Sequence, residues 1–124
     1  MSEGRRRRVL CVDDHPDVAH TLATVFNLYG FEAQECLDAA TALEIAPEFR
    51  PDACVLDINM PGMDGCELAE RLRSLLGPSV TLVALSAAQG EEHDRRVAEA
   101  GFDRSLTKPP LLARLVEAVT NGAE

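Results

Sequence analysis

Apolar runs alternate with amphipathic stretches five times along these 124 residues. The strongest runs are VLCV (9–12), CVL (54–56) and VTLVAL (80–85), and weaker extended candidates are FEAQEC (31–36) and FDRSLT (102–107). Continuous apolar character is typical of strands that are covered on both faces. The alternation therefore predicts an α/β fold, in which a parallel sheet with right-handed crossovers carries helices on both faces.

The stretches between these runs have apolar residues at helical spacing. The predicted inward faces of the first, third and fifth helices are Val18, Leu22, Val25 and Tyr29, then Leu68, Leu72, Leu75 and Leu76, then Leu112, Leu115, Val116 and Val119. The second helix, within 39–48, has Ala39, Ala42, Leu43 and Ala46, and the fourth, within 91–100, has only Val97, Ala98 and Ala100. Asp64 with Glu67 three places later predicts a helix start, and helix ends are predicted at Gly30, Gly77 and Gly101.

The length predicts one domain over residues 1–124, with residues 1–6 as a flexible basic arm. Because 12 basic and 21 acidic residues give a net charge of −9, we expect no direct binding to nucleic acid. The run Arg5 to Arg8 is interpreted as a solvated lead-in to the first strand. No apolar run approaches the ~20 residues of a bilayer span. We therefore expect a cytoplasmic protein without membrane contact, with free thiols at Cys11, Cys36, Cys54 and Cys66.

Polar residues stand at the carboxyl ends of the predicted strands. The first strand ends in Asp13 and Asp14, the third ends in Asp57, the fourth ends in Ser86, and the fifth runs into Lys108. Parallel strands bring these ends to one edge of the sheet, where ligands of such folds bind. Three carboxylates so close repel one another by several kcal/mol at an effective dielectric constant of about 20. Either some of them stay protonated or a cation joins them, and hard oxygen ligands suit Mg²⁺ (or Mn²⁺).

Lys108 is the only lysine in the chain, since every other cation is an arginine. Its ammonium can neutralise one phosphoryl oxygen, and the Ser86 hydroxyl can donate to a second. Asp57 then becomes a nucleophile that forms an acyl phosphate. Each residue also has a structural alternative: the acid pair can cap a helix, Ser86 can be a plain strand-end hydroxyl, and Lys108 can extend over the sheet edge.

Four separated motifs in this order resemble the receiver domain of bacterial two-component response regulators. They are Val9–Asp14, the pattern D-x-N-M-P-x-M-D-G over 57–65, Ser86, and Leu106–Pro109. The resemblance implies a flavodoxin-like, doubly wound sheet of strand order 2-1-3-4-5 with five helices, and a cis Lys108–Pro109 bond. It also implies Mg²⁺ held by the side chains of Asp14 and Asp57 and by the Asn59 carbonyl, with Asp13 assisting through water. The phosphoryl donor would be the phosphohistidine of a sensor histidine kinase or a histidine phosphotransfer protein.

One position departs from the resemblance. Family members often carry Tyr, Phe or His three residues before the conserved lysine, and here that residue is Ser105. We therefore expect the output to pass through the 86–91 loop and the following helix, or through another face. His15 is interpreted as solvated at a helix start, with phosphate or partner contact as the alternative. His20 and His93 are interpreted as ordinary surface residues.

The favoured function is a phosphorylation-controlled signalling domain that turns over no metabolite. A phosphohydrolase with an aspartyl nucleophile is the first alternative, but Asn59 stands where such enzymes carry a general acid. A phosphorylation-independent interaction module is the second. The downstream target and weak homodimerisation stay open.

Overall fold

A computed structural model describes residues 6–87 and 90–121 of the chain. These residues form five strands and five helices that alternate as predicted. In chain order they are β1 (Arg8–Val12), α1 (Pro16–Leu28), β2 (Glu32–Cys36), α2 (Ala39–Phe49), β3 (Ala53–Asp57), α3 (Gly65–Leu76), β4 (Thr81–Ser86), α4 (Glu91–Glu99), β5 (Arg104–Thr107) and α5 (Leu112–Asn121).

The five strands pair in parallel in the order β2-β1-β3-β4-β5. The prediction of a doubly wound, flavodoxin-like sheet of order 2-1-3-4-5 is therefore confirmed. In the register, Val12 lies opposite Leu56 and Asp57 lies opposite Leu85. Consequently the ends of β1, β3 and β4 meet at one edge.

Alternate residues of the central strands enter two separate apolar cores. Val9 and Cys11 face α1 and α5, whereas Leu10 and Val12 face α2, α3 and α4. The same division holds along β3. Successive side chains of a strand point to opposite faces, so apolar residues at every position need cover on both sides. This explains why the strands read as continuous apolar runs.

The predicted face of α1 was wrong in part. The buried stripe is Ala19, Leu22, Ala23 and Phe26, whereas Val18 and Tyr29 are 37% and 56% exposed. The same correction applies to two leucines at the margins of other helices, because Leu75 is 49% exposed and Leu112 is 38% exposed. Small alanines let a helix lie close to the sheet, so the buried stripe does not have to follow the largest side chains.

Helix boundaries follow the capping residues named from the sequence. The side chain of Asp64 accepts a hydrogen bond of 3.0 Å from the backbone N–H of Glu67 at the start of α3. Gly77 is the residue that ends α3, and its φ of 95° is one that other residues rarely adopt. The Lys108–Pro109 peptide bond is cis, as the resemblance implied.

Arg7 and Arg8 are bound to the body of the domain, which corrects the interpretation of the whole arginine run as solvated. The Arg7 Nε donates to the Val119 carbonyl at 2.7 Å. The Arg8 Nε lies 3.2 Å from a Glu32 oxygen, and its guanidinium lies 5.8 Å from the centre of the Phe49 ring. Residues 1–5 lie outside the described part of the chain, so the flexible basic arm over 1–6 stays a prediction.

The four cysteines are buried free thiols, as predicted. Burial raises the pKa of Cys54 to about 12 and also raises that of Cys11, so both thiols stay protonated. Within residues 6–87 and 90–121, no helix has both the length and the apolar character needed to cross a membrane.

Candidate functional site

Asp57 is the last residue of β3, an interior strand with β1 on one side and β4 on the other. Its side chain is almost completely buried. The next residue continues the backbone pairing, since the N–H of Ile58 donates to the Leu85 carbonyl at 3.1 Å. The Asp57 carboxylate is thus fixed at the sheet edge by backbone bonded to β4.

Lys108 reaches this carboxylate from the loop after β5. Its Nζ lies 3.1 Å from the Asp57 Oδ1 and 3.2 Å from the Asp13 Oδ2, so one ammonium joins the ends of two strands. The Lys108 backbone N–H donates to the Ser86 carbonyl at 2.9 Å, which ties the loop to the end of β4. The Lys108 ammonium therefore lies against two strand-end carboxylates, and its role in the site stays a prediction.

The acid pair lies beside Asp57 and does not cap α1. Asp13 is fully buried, and its Oδ1 accepts a hydrogen bond of 3.0 Å from the His15 backbone N–H. His15 is the N-cap residue of α1, whose end has no side-chain cap. The Asp14 Oδ1 is buried and accepts no hydrogen bond from the described residues. Such an orphaned oxygen is expected where a cation completes the coordination.

Acidic oxygens of Asp13, Asp14 and Asp57 lie within 4.8 Å of one another, together with a nitrogen of His15. Three carboxylates and one lysine leave two formal negative charges at this edge of the sheet. The donor set and its charge fit a hard divalent cation. The cluster could therefore bind a metal ion.

The pKa values of Asp57 and Lys108 are both raised. For Asp57, burial is the largest cause; the Lys108 ammonium opposes it, and the Asp13 charge adds to it. For Lys108, burial acts downward, but the hydrogen bond to Asp57 and the charges of both carboxylates outweigh it and raise the pKa. The lysine is therefore a fixed positive charge at neutral pH. For Asp57, in contrast, burial makes the charged form less favourable than it is for an exposed aspartate.

Gly65 closes the loop that follows Asp57. A Cβ at this position would lie 2.5 Å from the Asp57 carbonyl oxygen and 2.8 Å from the Ile58 Cα. Its backbone N–H donates to the Ile58 carbonyl at 2.9 Å. Only glycine allows α3 to begin so close to the strand that carries Asp57.

Three further residues named from the sequence lie on β4, on the loop after β3 and on β5. Ser86 is buried at the end of β4, opposite Thr107 of β5. The Asn59 backbone N–H donates to the Asp57 Oδ1 at 3.2 Å, and the role of its carbonyl as a metal ligand stays a prediction. Ser105 is exposed on β5. The 86–91 loop, predicted to carry the output, includes residues 88 and 89, which lie outside the described part.

Two histidines differ from the expectation. His15 is largely exposed, as predicted, yet its Nδ1 lies 3.4 Å from a carboxylate oxygen of Asp13 and from one of Asp14. Its place directly after the acid pair was the only sequence signal for this contact. His93 is half-buried, and its Nε2 has no hydrogen-bond partner among the described residues. His20 is a surface residue that pairs with Glu35 at 2.8 Å.

A doubly wound sheet whose carboxyl edge joins an acid pair, a buried aspartate and a lysine defines a class of phosphoryl-signalling domains. The family model of the response regulator receiver domain matches residues 9–120, and the chain belongs to this family. It is thus a receiver domain of the kind found in two-component signalling systems.

Known proteins similar to this chain include whole regulators and kinases. The transcriptional regulatory protein PrrA of Mycobacterium leprae (strain TN) is 47% identical over 114 residues, which cover 90% of this chain and 48% of that protein. The sensor histidine kinase RcsC of Escherichia coli (strain K12) is 32% identical over 124 residues, covering 100% of this chain and 13% of the kinase. The chain therefore spans about half of the first relative's length.

A solved structure agrees with this assignment. The receiver domain of the Francisella response regulator 1452 has a TM-score of 0.85 and 28% sequence identity, covering 95% of this chain and 97% of that one.

Proposed function

We propose that Asp57 accepts a phosphoryl group from the phosphohistidine of a sensor histidine kinase or a histidine phosphotransfer protein, in a reaction that requires Mg²⁺ (or Mn²⁺). The observation that carries this proposal is the Lys108 ammonium, which lies within 3.2 Å of both Asp13 and Asp57. A lone cation between two buried carboxylates is suited to neutralise a third anionic group that arrives there.

In the transfer, an Asp57 oxygen forms the new bond to phosphorus while the bond from phosphorus to the donor's imidazole nitrogen breaks. Lys108 binds one phosphoryl oxygen, and the Ser86 hydroxyl donates to another. The protein's contribution is mainly position and charge, as in phosphoryl transfer generally. Slow hydrolysis of the acyl phosphate returns the domain to its starting state, and no metabolite is turned over.

The metal would be held by the side chains of Asp13, Asp14 and Asp57 and by the Asn59 carbonyl, with the Asp13 contact through water. When bound, it supplies positive charge to the phosphoryl oxygens. The buried Asp14 Oδ1, which accepts no hydrogen bond from the described residues, and the two excess negative charges support this assignment.

The signal would be transmitted by a shift between two conformations. A difference of a few kcal/mol in how favourably the two conformations interact with the phosphoryl group is enough to change their populations. Ser105 leaves no aromatic ring to report the change at the usual position. The output therefore depends on backbone movement near Ser86 and α4, or on another face. The downstream protein is not specified by the site.

The experiment is phosphorylation by acetyl phosphate with Mg²⁺, followed by intact mass measurement and hydroxylamine treatment. The wild-type chain should gain one hydroxylamine-sensitive phosphoryl group. Asp57→Asn should gain none, whereas Asp94→Asn, a change of an exposed carboxylate on α4, should behave as wild type. Undiminished uptake by Asp57→Asn would refute the proposal. No uptake by the wild type would favour the interaction module, and rapid release of phosphate from small phosphomonoesters would favour the phosphohydrolase.

A further inference from the structure

Helix α4 has little apolar attachment to the rest of the domain. Of its nine residues, Glu91–Glu99, only Val97 is buried. His93 is half-buried, and the other residues of the helix are exposed. Packing of an apolar face supplies most of a helix's stability in a protein, so a helix with one buried side chain belongs to the less stable parts of the fold. Other contacts must therefore contribute to holding α4 in place.

An ion pair joins α4 to residues 58–64, the loop that leads from Asp57 into α3 and is called here the acceptor loop. The Arg96 Nη2 donates to the Asp64 Oδ2. Asp64 is also the N-cap residue of α3, and its Oδ1 accepts a hydrogen bond from the Glu67 backbone N–H. One carboxylate thus binds the first turn of α3 with one oxygen and α4 with the other.

The acceptor loop is bonded to Asp57 and to its neighbour. The Asn59 backbone N–H donates to the Asp57 Oδ1 at 3.2 Å. The Gly65 N–H, directly after Asp64, donates to the Ile58 carbonyl at 2.9 Å. A displacement at Asp57 is therefore transmitted to Asp64 by short hydrogen bonds and covalent neighbours, and from Asp64 to α4.

We propose that the Arg96–Asp64 ion pair restrains α4 in the unphosphorylated domain and couples this helix to the acceptor loop. The inference rests on the proposed function and names the contact through which the state of Asp57 reaches α4. The side chains of Arg96 and Asp64 are 53% and 38% exposed, and ion pairs so exposed are weak. Breaking the pair should therefore raise the population of displaced α4 only about two- to fivefold. Such a restraint is small enough for a phosphoryl group to overcome.

Cys66 can report on this contact. It lies on α3, is 7% exposed, and packs in the same apolar core as Val97. Burial raises the pKa of Cys66, and the positive charge of Arg96 opposes this rise, so the guanidinium lies near the thiol. Displacement of α4 should make Cys66 accessible to an alkylating reagent. Cys11, fully buried in β1, should stay inaccessible.

The experiment compares the wild-type chain, Arg96→Met and Arg95→Met by amide hydrogen exchange and by alkylation of Cys66 with iodoacetamide, both followed by mass spectrometry. Arg95 is the matched control, because it is an exposed arginine of α4 that pairs with no residue in the described part of the chain. Without a phosphodonor, Arg96→Met should exchange the α4 amides and alkylate Cys66 about two- to fivefold faster than the wild type. Arg95→Met should match the wild type, and exchange in α1 and α5 should be unchanged. Loss of the Arg96 charge by itself would slow alkylation, so faster alkylation reports accessibility.

Asp64→Asn tests whether the two residues act as a pair. Asparagine keeps the N-cap bond to α3 and removes the charge. Alone it should accelerate exchange in α4 as much as Arg96→Met does, and the double variant should be no faster than either single variant. NaCl at about 1 M, which screens exposed charges, should bring the wild type close to Arg96→Met.

Wild-type rates of exchange and alkylation in Arg96→Met would overturn the inference, as would equal acceleration in Arg95→Met or additive effects in the double variant. Acetyl phosphate with Mg²⁺ should accelerate α4 exchange in the wild type, and by a smaller factor in Arg96→Met because the restraint is already lost. No acceleration in the phosphorylated wild type, or an equal factor in both proteins, would overturn the coupling. If the wild type takes up no phosphoryl group and Arg96→Met still exchanges faster, the proposed function fails and the restraint of α4 stands.

Discussion

Replacing Lys108 by methionine should destabilise the metal-free domain, because it leaves Asp13 and Asp57 buried without their cation. The Nζ lies 3.2 Å and 3.1 Å from these carboxylates, and at an effective dielectric constant of about 20 each contact is worth about 5 kcal/mol before desolvation is subtracted. Only 27% of the lysine side chain is exposed, so solvent screens the contacts weakly. Removing one partner of such a buried group typically costs about 3–5 kcal/mol.

Protonation limits this loss. A carboxyl with an ordinary pKa near 4 takes up a proton at pH 7 at a cost of about 4 kcal/mol, which is the most that each unpaired carboxylate can cost. We therefore expect Lys108→Met to lose about 3–4 kcal/mol of unfolding free energy at pH 7. The deficit should shrink as the pH falls and the carboxyl becomes protonated without cost.

The measurement is urea denaturation followed by circular dichroism, in EDTA and in saturating Mg²⁺. Mg²⁺ should stabilise Lys108→Met more than the wild type, because the cation then replaces the missing ammonium. Arg95→Met, which removes an exposed cation from α4, is the control and should change stability by less than about 0.5 kcal/mol. The double variant with Asp57→Asn should recover much of the loss. A deficit below about 1 kcal/mol in EDTA would refute the electrostatic account of the site.

Three further perturbations test other parts of the structure. Gly65→Ala places a Cβ 2.5 Å from the Asp57 carbonyl oxygen, so it should cost about 1–3 kcal/mol in urea denaturation and sharply reduce phosphoryl uptake; full uptake would contradict this. The pKa of Asp57 is higher in the folded protein than in the unfolded chain. The stability that this group contributes is therefore fully present below the unfolded pKa and is lost as the pH rises through the folded pKa. Metal-free Asp57→Asn should thus be more stable than wild type at pH 7, with the difference vanishing in acid, and a less stable variant at pH 7 would be evidence against it. Arg73 donates to the Val80 carbonyl at 2.6 Å and to Asp103 at 3.0 Å. Arg73→Met should therefore lower the unfolding free energy by about 3 kcal/mol in the same denaturation assay, and Arg73→Lys should not restore the lost stability. Rescue by lysine would show that the positive charge alone is sufficient.

The order of strands and helices was predictable because hydrophobic period is a local property of the sequence. The face of α1 was less so. Ala19 and Ala23 carry little hydrophobic signal, whereas the larger Val18 and Tyr29 dominate the pattern and are exposed in the structure. Which stripe lies inward depends on how closely the helix approaches the sheet, and that distance is not encoded in the period.

The candidate site was likewise predictable only in part. Asp57 and Lys108 were predictable because parallel topology brings strand ends together wherever the strands lie. The contact of His15 with the acid pair depends on a turn at Asp13, and the need for Gly65 depends on a close approach between α3 and β3. Such contacts arise only after the chain has folded, so residue spacing indicated no more than that His15 follows the acid pair directly.

Asp57 ends an interior strand, whereas β5, which leads to Lys108, forms one border of the sheet. The proposed acceptor is therefore held by a neighbouring strand on each side, whereas the segment that carries Lys108 follows a strand with one neighbour. Under the proposed function, a substitution on β5, such as one at Ser105, should alter the output surface and leave phosphoryl uptake at Asp57 intact. Burial thus restricts which side chains can stand at the proposed acceptor position, whereas the exposed face of β5 accepts a wider range.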